Sequence, residues 1–243
     1  MKYLGKINRF DFSDIILHRS GSVRTEVSTG PGFGVDVSVV DLRGGQAMVL
    51  TSDPLSLIPA LGLRESAWLS VHLMANDMAT SGLAPQYAQL VLNLPPHVTE
   101  EDFTEYWQHI HDYCRKIGIS ITGGHTCTIE GQESTISGGG TMISIGRKQD
   151  ILVSENARTG HIILLTKECA ISSTALLAMS FPDTVAKKCG RTIQQEASEL
   201  FYRTSSLKEA LIVSELGMNN SHVSAMHDVT EGGVLGAVYE LAV

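Results

Sequence analysis

Three aspartates on separate predicted elements are the residues of this chain best suited to hold a cation. Asp36 lies in an alternating apolar segment, Asp53 follows an apolar strand, and Asp77 lies in the least polar part of a helix. A buried carboxylate is costly unless it is paired or bound to a cation, and three of them together repel one another. Magnesium suits such a site, because it takes oxygen ligands and also coordinates substrate phosphates. This hypothesis requires the three elements to meet.

Each of these aspartates also has an ordinary structural explanation. Asp53 precedes Pro54, and this pair is typical of a turn that ends a strand. The pair Asn76-Asp77 can equally form satisfied hydrogen bonds inside the core. Thr51-Ser52, at the end of the same strand as Asp53, carries hydroxyl groups that bond either a phosphate or the backbone.

Two glycine pairs beside polar residues are candidate phosphate sites. Gly123-Gly124-His125-Thr126 follows a predicted strand, where paired glycines can leave backbone amides facing a phosphate. Any turn also favours Gly-Gly, and His125 is more often a polar loop residue than a ligand. His227-Asp228-Val229-Thr230-Glu231-Gly232-Gly233 opens a helix, whose first N–H groups are unpaired donors. The structural alternative is a capped helix start with Thr230 as its N-cap.

Size and composition indicate an ordinary globular protein. The 243 residues are enough for two domains, and 43% of them are hydrophobic. The net charge of −8 argues against nucleic acid and anionic membranes as partners. None of the four cysteines has C-x-x-C spacing, no secretory signal is recognisable, and no apolar stretch is long enough to span a bilayer. We therefore expect a cytoplasmic location and reduced thiols.

Hydrophobic periodicity predicts the elements that must position these residues in the first half. Residues 1–34 are predicted to be a mobile segment, and the Gly-, Ser- and Thr-rich part at 20–34 suits ordering over a ligand. The predicted strands are 35–42, 47–50, 87–94, 119–122 and 135–145, with a hairpin turn at Gly44-Gly45. The predicted helices are 66–81, ended by Gly82, and a helix that Thr99 caps and Gly118 closes.

The pattern restarts between Asp150 and Gly160, which predicts a first domain over residues 35–153 and a second over 154–243. The predicted elements of the second domain are strands at 161–166 and at the apolar run 223–226, and helices at 172–179, 192–216 and 234–243. The chain stops inside the last helix, so we expect the C-terminal domain to be truncated.

Five motifs taken together resemble a known family. They are Val35-Asp36-Val37-Ser38-Val39-Val40, Thr51-Ser52-Asp53, Asn76-Asp77-Met78-Ala79 with Gly82-Leu83-Ala84-Pro85, Gly123-Gly124-His125-Thr126 and the seven residues from His227. In this order they resemble the aminoimidazole-ribotide (AIR) synthase superfamily, or PurM-like proteins, over about residues 30 to 243. Its members include selenophosphate synthetase, thiamine-monophosphate kinase and the hydrogenase maturation factor HypE, and the two histidine-containing motifs favour the HypE-like branch.

The resemblance implies an α+β protein of two domains. The N-terminal α+β domain would form a β-barrel with its twin in a homodimer, and the C-terminal domain would be α/β. ATP and Mg²⁺ would lie in the cleft between the domains. The implied reaction activates an oxygen of a small-molecule or protein-bound acceptor by phosphoryl transfer, in which positioning and charge neutralisation carry most of the catalysis.

The resemblance also implies roles for individual residues. The implied metal ligands are Asp36, Asp53 and Asp77. The implied nucleotide contacts are these three aspartates together with Thr51, Asn76, Gly123, Gly124, His125, Lys167, Gly232 and Gly233. The implied catalytic residues are Asp53, Asp77, His227 and Asp228.

Two other functions fit the same sequence. One is a small-molecule kinase similar to thiamine-monophosphate kinase, and the other is a scaffold protein that keeps the dimer and has lost catalysis. Val35 stands where many relatives carry a second acidic residue, which favours fewer metal ions and slightly favours the scaffold. Selenophosphate synthetase requires a cysteine or selenocysteine near the N-terminus with a lysine close by, whereas the first cysteine of this sequence is Cys114.

Overall fold

The computed structural model describes residues 5–131, 137–215 and 223–242, and it confirms the predicted α+β class. Six strands form one sheet in the order β1-β2-β3-β6-β4-β5. Their bounds are β1 Val27–Thr29, β2 Ser38–Asp41, β3 Gln46–Pro54, β4 Tyr87–Leu94, β5 Ser120–Thr128 and β6 Ser137–Arg147. Neighbouring strands are antiparallel except β4 and β5, which are parallel.

Helices cover one face of this sheet and continue through the second half of the chain. Their bounds are α1 Arg9–Asp11, α2 Leu63–Thr80, α3 Glu100–Lys116, α4 Ile171–Ser180, α5 Pro182–Cys189, α6 Arg191–Glu199, α7 Leu207–Glu215 and α8 Gly233–Ala242. Helix α3 is the crossover between the parallel strands β4 and β5, which a tight turn cannot join. Helix α2 packs on α3 and on the central strands β3 and β6.

Alternation along the central strands separates a covered face from an open one. Val49 and Leu90 point into the core, where they pack with Met74 of α2. The residues of β4 in between point away from the helices, and Tyr87 and Val91 are each 40% exposed. The sheet therefore keeps an apolar open face opposite its core.

Local chemistry fixes the start of α3, as the sequence predicts. The Thr99 hydroxyl accepts a hydrogen bond from the Asp102 backbone N–H at 3.0 Å, and the Asp102 carboxylate accepts one from the Thr99 backbone N–H at 3.2 Å. This reciprocal pair satisfies two of the N–H groups that a helix start leaves unpaired. The predicted N-cap is therefore confirmed.

The predicted strand at 119–122 is too short, because β5 continues through Gly123 and Gly124. One extra residue, Thr122, is accommodated where the register with β4 shifts, and pairing then resumes to the end of both strands. Gly124 has a φ of +148°, and a Cβ atom there would lie 1.8 Å from the Leu90 carbonyl oxygen. Close approach of two backbones is therefore a sufficient reason for this glycine.

The second half of the described chain is helical. The predicted helix at 172–179 is confirmed as α4, and the region predicted as one long helix contains α6, a 3₁₀ turn at Phe201–Thr204 and α7. Residue 216 of that prediction lies outside the described residues. Ala175 and Phe201 pack with Trp68 of α2, and Leu207 of α7 joins the core under the sheet. Helix α2 thus contacts both halves.

The predicted strand at 161–166 is not formed. Residues 161–166 have no assigned strand, and Ile162 and Leu164 are 86% and 83% exposed. The apolar run at 223–226 is also without regular structure, although the Ser224 hydroxyl lies 2.9 Å from His161 Nδ1. A strand needs a pairing partner, and neither segment has one within the described ranges.

The domain limits and the mobility of residues 1–34 stay predictions. Within the described part of that segment, α1 is followed by a π-helical turn at Phe12–Ile16 and a 3₁₀ turn at Leu17–Arg19. Among the described residues, no helix combines the length and the apolar character needed to cross a membrane.

Candidate functional site

Four aspartates from four separate segments meet beside the N-terminal sheet. We call them the acidic cluster: Asp36 before β2, Asp53 near the end of β3, Asp77 near the end of α2, and Asp228 before α8. Burial, followed by the charges of the other three aspartates, raises the pKa of Asp77 to about 9. The sequence supplied three of these residues as metal ligands and the fourth as catalytic, and the fold brings all four together.

Thr51 holds Asp77 in place. The Thr51 hydroxyl donates a hydrogen bond of 3.1 Å to Asp77 Oδ2, which joins β3 to α2. This hydrogen bond favours the charged carboxylate and opposes part of the rise in the pKa of Asp77. Thr51 is itself buried, so its hydroxyl orients the Asp77 carboxylate and is not open to solvent.

Asp53 lies close to the C-terminal motif. Partial burial, and after it the charge of Glu231, raises the pKa of Asp53 to about 6, while the positive charge of Lys6 opposes the shift. The backbone of Asp53 pairs with Gly140 on β6, so the position of its Cα is set by the sheet. The end of β3 and the turn before α8 therefore share one electrostatic environment.

His227 connects Asp36 to helix α8. His227 Nδ1 lies 2.6 Å from Asp36 Oδ2, and His227 Nε2 lies 3.0 Å from Glu240 Oε2. Burial alone would lower the pKa of His227, but the hydrogen bond and charge of Asp36, with further carboxylates nearby, raise it above its ordinary value. The imidazole therefore lies between two carboxylates that favour its protonated form.

Asp228 is buried with unused bonding capacity. It is 7% exposed, and its Oδ2 atom has no hydrogen-bond partner among the described residues. Burial, and then the charge of Asp36, raises the pKa of Asp228 to about 7, while His227 opposes the shift. A buried carboxylate oxygen without a partner costs free energy, so this atom marks a place where a cation or a donor would be stabilised.

Lys6 and Gly34, from the N-terminal part of the chain, both approach Glu240 of helix α8. Lys6 Nζ lies 2.9 Å from each carboxylate oxygen of Glu240. Gly34 has a φ of +75°, and a Cβ atom there would lie 2.7 Å from Glu240 Cβ. The backbone before Asp36 thus packs directly on α8.

The acidic cluster fits a divalent cation. Burial and the charges of neighbouring aspartates raise the pKa values of Asp77 and Asp228, and Asp228 is buried with an oxygen that has no partner among the described residues. Oxygen donors of this kind suit Mg²⁺. In addition, one ligand atom each from Asp36, His227 and Asp228 lie within 4.8 Å of one another, a spacing compatible with a metal ion.

Asn76 and Lys167 form hydrogen bonds with residues 203–206, outside the acidic cluster. The Asn76 side chain donates to the Thr204 carbonyl at 3.2 Å and accepts from the Ser206 N–H at 2.8 Å. Lys167 Nζ donates to the Arg203 carbonyl at 2.9 Å and to the Ser205 carbonyl. We call this arrangement the 203–206 clamp. It matches the core hydrogen bonding that the sequence left open for Asn76, and the assignment of both residues to a nucleotide stays a prediction.

Gly123, Gly124 and His125 lie on the far edge of the sheet from Asp53. Asp53 pairs with Gly140, Gly140 pairs with Leu90, and Leu90 pairs with Gly124, so three strand spacings, about 14 Å, separate Asp53 from Gly124. Within one protomer these residues therefore do not contact a group bound directly at Asp53. Their assignment to the nucleotide stays a prediction.

Gly232 and Gly233 form the turn that leads into α8. Gly232 and Gly233 have φ values of +80° and +59°, and α8 begins at Gly233. The Gly233 N–H donates to the Thr230 carbonyl at 3.1 Å. The helix therefore starts three residues after Thr230, so Thr230 is not its N-cap, and the positive φ values explain both glycines.

Glu240 and Lys6 are site residues that the sequence analysis missed. Glu240 carried a usable signal, because it is the one charged residue between Val234 and Ala242 in the sequence. An acid in such an apolar helix is expected to have a buried partner. Lys6 carried no comparable signal, since it lies in a segment without a periodic pattern.

Comparison with known families identifies two matching regions. Residues 34–145 match the family described as AIR synthase related protein, N-terminal domain. Residues 158–243 match the family described as AIR synthase related protein, C-terminal domain.

Several curated proteins resemble the chain. A selenide, water dikinase of Methanococcus maripaludis is 31% identical over 225 residues, which cover 87% of this chain and 63% of that protein. The selenide, water dikinase of Methanocaldococcus jannaschii is 25% identical and covers 87% of this chain and 61% of its own length. A phosphoribosylformylglycinamidine cyclo-ligase of the latter organism is 26% identical over 68% of this chain and 43% of its own length. The chain thus spans less than two thirds of these relatives.

Solved structures share the fold. Escherichia coli HypE, a hydrogenase maturation protein, superimposes with a TM-score of 0.60 at 18% identity, over 80% of this chain and 57% of that one. Thiamine monophosphate kinase from Aquifex aeolicus gives a TM-score of 0.58 at 13% identity, over 74% of this chain and 59% of that one. At these identities the likeness concerns the fold alone.

Proposed function

Since the chain belongs to the AIR synthase related family, we propose that it binds ATP with a divalent metal ion at the acidic cluster and transfers a phosphoryl group to an acceptor oxygen. The observation that carries the proposal is the meeting of Asp36, Asp53, Asp77 and Asp228 from four separate segments. Four carboxylates at one place destabilise a fold unless a cation neutralises them.

Different elements of the chain present the aspartates that would hold the metal ion. Asp53 and Asp77 are presented by β3 and α2, and Thr51 fixes the Asp77 carboxylate by its hydrogen bond. Asp36 and Asp228 lie next to His227. When bound, magnesium and ATP supply the transferable phosphoryl group and the positive charge that neutralises it. Positioning by the chain then accounts for most of the rate.

The acceptor is the finer part of the proposal. We propose a HypE-like activation of an oxygen on a small or protein-bound acceptor, because the two histidine-containing motifs have HypE-like forms. A kinase of small molecules is the alternative, supported by the fold shared with a thiamine monophosphate kinase structure described as complexed with AMPPCP and TMP. The similarity to selenide, water dikinases adds selenide to the acceptors worth testing.

A thermal-shift experiment tests the proposal. At a concentration 100 times its dissociation constant, ATP with Mg²⁺ should stabilise the protein by about 2.7 kcal/mol and raise its Tm by several degrees. Asp53→Asn should reduce this shift, because it removes a charge facing the cation. Asp183→Asn, whose side chain is 95% exposed on α5, should leave the shift intact. The absence of a shift in the unaltered chain would sink the proposal.

Turnover separates the enzyme from the scaffold. Slow release of ADP or AMP should accelerate with the right acceptor in a panel of thiamine monophosphate, carbamoylated cysteine peptides and selenide. Nucleotide binding without turnover across the panel favours the scaffold alternative.

We also propose that the open face of the sheet packs on a second copy of the chain. Tyr87, Val91 and Ile145 lie on this face and are each about 40% exposed. An exposed apolar surface of this kind is typical of an interface. Val91→Glu should convert a dimer into a monomer in light scattering after size exclusion, whereas Val23→Glu, at a position 97% exposed, should not. A monomeric unaltered chain would contradict the dimer.

A further inference from the structure

We infer that a cavity beside α8 binds a small organic cation, namely an amine with an apolar body. The cavity encloses about 540 Å³, which is within the range of pockets that hold small molecules. Its lining comes from four parts of the chain: residues between 9 and 17, residues 32–35, residues 154–157 and the end of α8. This binding site goes beyond the proposed function, and only the role of its ligand as an acceptor rests on that function.

The cavity offers apolar surface for the body of such a ligand. Phe12 and Leu17 line it from the N-terminal segment, and Phe33 lines it from the segment before β2. Pockets for small molecules are typically built in this way, from apolar and aromatic side chains with a few polar groups that fix the orientation of the ligand.

Negative charge prevails among the polar groups around the cavity. Two of the lining residues are acidic, Glu155 and Glu240, whereas one is basic, Arg9. Burial opposes the charged form of Lys6 next to the cavity, but the hydrogen bond and charge of Glu240, with further carboxylates nearby, raise the Lys6 pKa above its ordinary value. A positively charged ligand is therefore favoured over a neutral or an anionic one.

Lys6 shows how a cation is held at this place. Its ammonium group lies 5.9 Å from the centroid of the Phe33 ring and 2.9 Å from each carboxylate oxygen of Glu240. Both of these residues line the cavity. The face of an aromatic ring attracts a cation, and a carboxylate accepts a charge-assisted hydrogen bond from it. The ammonium group of the ligand would take the place of Lys6 between the ring and the carboxylate.

The cavity lies next to the acidic cluster. Val35 of its lining precedes Asp36 in the chain, and Glu240 contacts His227, whose other ring nitrogen contacts Asp36. A bound cation would therefore lie close to the groups proposed to hold the nucleotide, as an acceptor must. Its positive charge would also reduce the repulsion among the carboxylates.

A titration of the full chain, followed by nuclear magnetic resonance in the absence of nucleotide and metal, tests the inference. The probes are 2-phenylethylamine, which is a cation at neutral pH, and 2-phenylethanol, its neutral analogue. We expect the amine to bind at least about tenfold more tightly than the alcohol, because hydrogen bonds between charged groups are the stronger ones. Absence of amine binding, or equal binding of the alcohol, overturns the inference.

A pair of phenylalanine variants locates the bound amine. Phe33→Leu should lower the affinity for 2-phenylethylamine by about 3- to 30-fold, because the ring face is lost. Phe10→Leu, at a position that is 79% exposed and outside the lining, should leave the affinity unchanged. Unchanged affinity in a folded Phe33→Leu protein contradicts the site.

Lys6→Met decides the matter where circular dichroism shows that Phe33→Leu does not fold. This variant should raise the affinity for the amine, because the ligand no longer has to displace an ammonium group that already occupies the site. An affinity that does not rise overturns the inference. Failure here stays distinct from failure of the proposed function, because the titration contains neither ATP nor metal and the thermal shift contains no amine.

Discussion

The acidic cluster and the 203–206 clamp both join distant parts of the chain through polar side chains, but they differ in how those side chains are satisfied. In the clamp, both ends of the Asn76 amide bond the backbone, and Lys167 donates to two backbone carbonyls. The neighbouring Glu209 Oε2 lacks a hydrogen-bond partner among the described residues, but it lies 3.1 Å from the Lys167 ammonium group and is neutralised by it. In the cluster, carboxylates face one another, and Asp228 retains an oxygen without a partner in the described structure.

This difference separates a structural contact from a candidate binding site. A buried polar group whose hydrogen bonds are complete stabilises the fold and has no capacity left for a ligand. A buried group whose bonds are incomplete costs free energy until something binds it. Position in the chain does not distinguish the two kinds of group, since Asn76 and Asp77 are neighbours on one helix and belong to different arrangements.

Asp228→Asn should produce the largest effect and the clearest test of this comparison. Removal of a negative charge from the acidic cluster should weaken metal binding by more than about 100-fold, beyond what loss of an outer-shell partner causes. The metal-free protein should be equally or more stable, because an unpaired buried charge is lost. Calorimetric titration and urea unfolding measure the two quantities. A less stable protein with normal metal affinity would place Asp228 with the clamp residues.

The pH dependence of stability should give the next largest effect. Burial, followed by nearby carboxylate charges (Glu231 for Asp53, other aspartates for Asp228 and Asp77), raises the pKa values of Asp53, Asp228 and Asp77 to about 6, 7 and 9, above those of an unfolded chain. Groups with raised pKa values stabilise the fold below the unfolded values and lose this contribution as pH rises through the folded values. The Tm of the metal-free protein should therefore fall between pH 5 and pH 9.

Asp77→Asn and bound metal provide the controls for that experiment. Asp77→Asn should flatten the decline in Tm, because it removes the group with the highest of these pKa values. Saturating metal should flatten it as well, since the cation stabilises the charged carboxylates. A Tm that rises over this range would show that the four carboxylates do not repel one another.

Asn76→Ala should give the smallest of these effects on binding and a measurable effect on stability. Loss of its two hydrogen bonds leaves the Thr204 carbonyl and the Ser206 N–H unpaired, which should lower the free energy of unfolding by about 2–3 kcal/mol. Lys167→Met should lower it by less, because the ammonium group is nearer the surface. Metal affinity should stay within about twofold in both variants, as expected for independent sites. If Asn76→Ala instead lost nucleotide binding without losing stability, Asn76 would have to be a nucleotide contact rather than a structural residue.

The sequence predicted elements whose signals are local and missed those that depend on distant partners. Strand β4 and the Thr99 cap were predicted correctly, because alternation and capping involve residues close together in the chain. The strand at 161–166 was not, since an apolar run becomes a strand only beside a pairing partner. The strand at 119–122 was predicted to end before Gly123-Gly124, because the close approach of Leu90 that favours glycine within a strand is not visible in the sequence.

The candidate site was predictable in composition and not in arrangement. Asp36, Asp53 and Asp77 stood out by their positions on apolar elements and Asp228 by its place in the motif before α8, but their meeting depends on how β3, α2 and the turn before α8 pack. The resemblance to AIR synthase related proteins supplied that convergence indirectly. It did not supply the contact of His227 with Glu240, which depends on the packing of α8 against residues near the N-terminus.

Gly34 allows the chain to pack closely on Glu240 because glycine has no side chain. Its φ of +75° and the 2.8 Å that would separate an added Cβ from the Glu240 carbonyl oxygen leave no room for one more carbon. Asp36 lies two residues further along the chain, and His227 is joined to both Asp36 and Glu240. A methyl group at position 34 would therefore push α8 away from the segment before β2 and disturb both contacts of His227, although none of the three polar side chains would change. The glycine thus protects an interaction in which it takes no direct part.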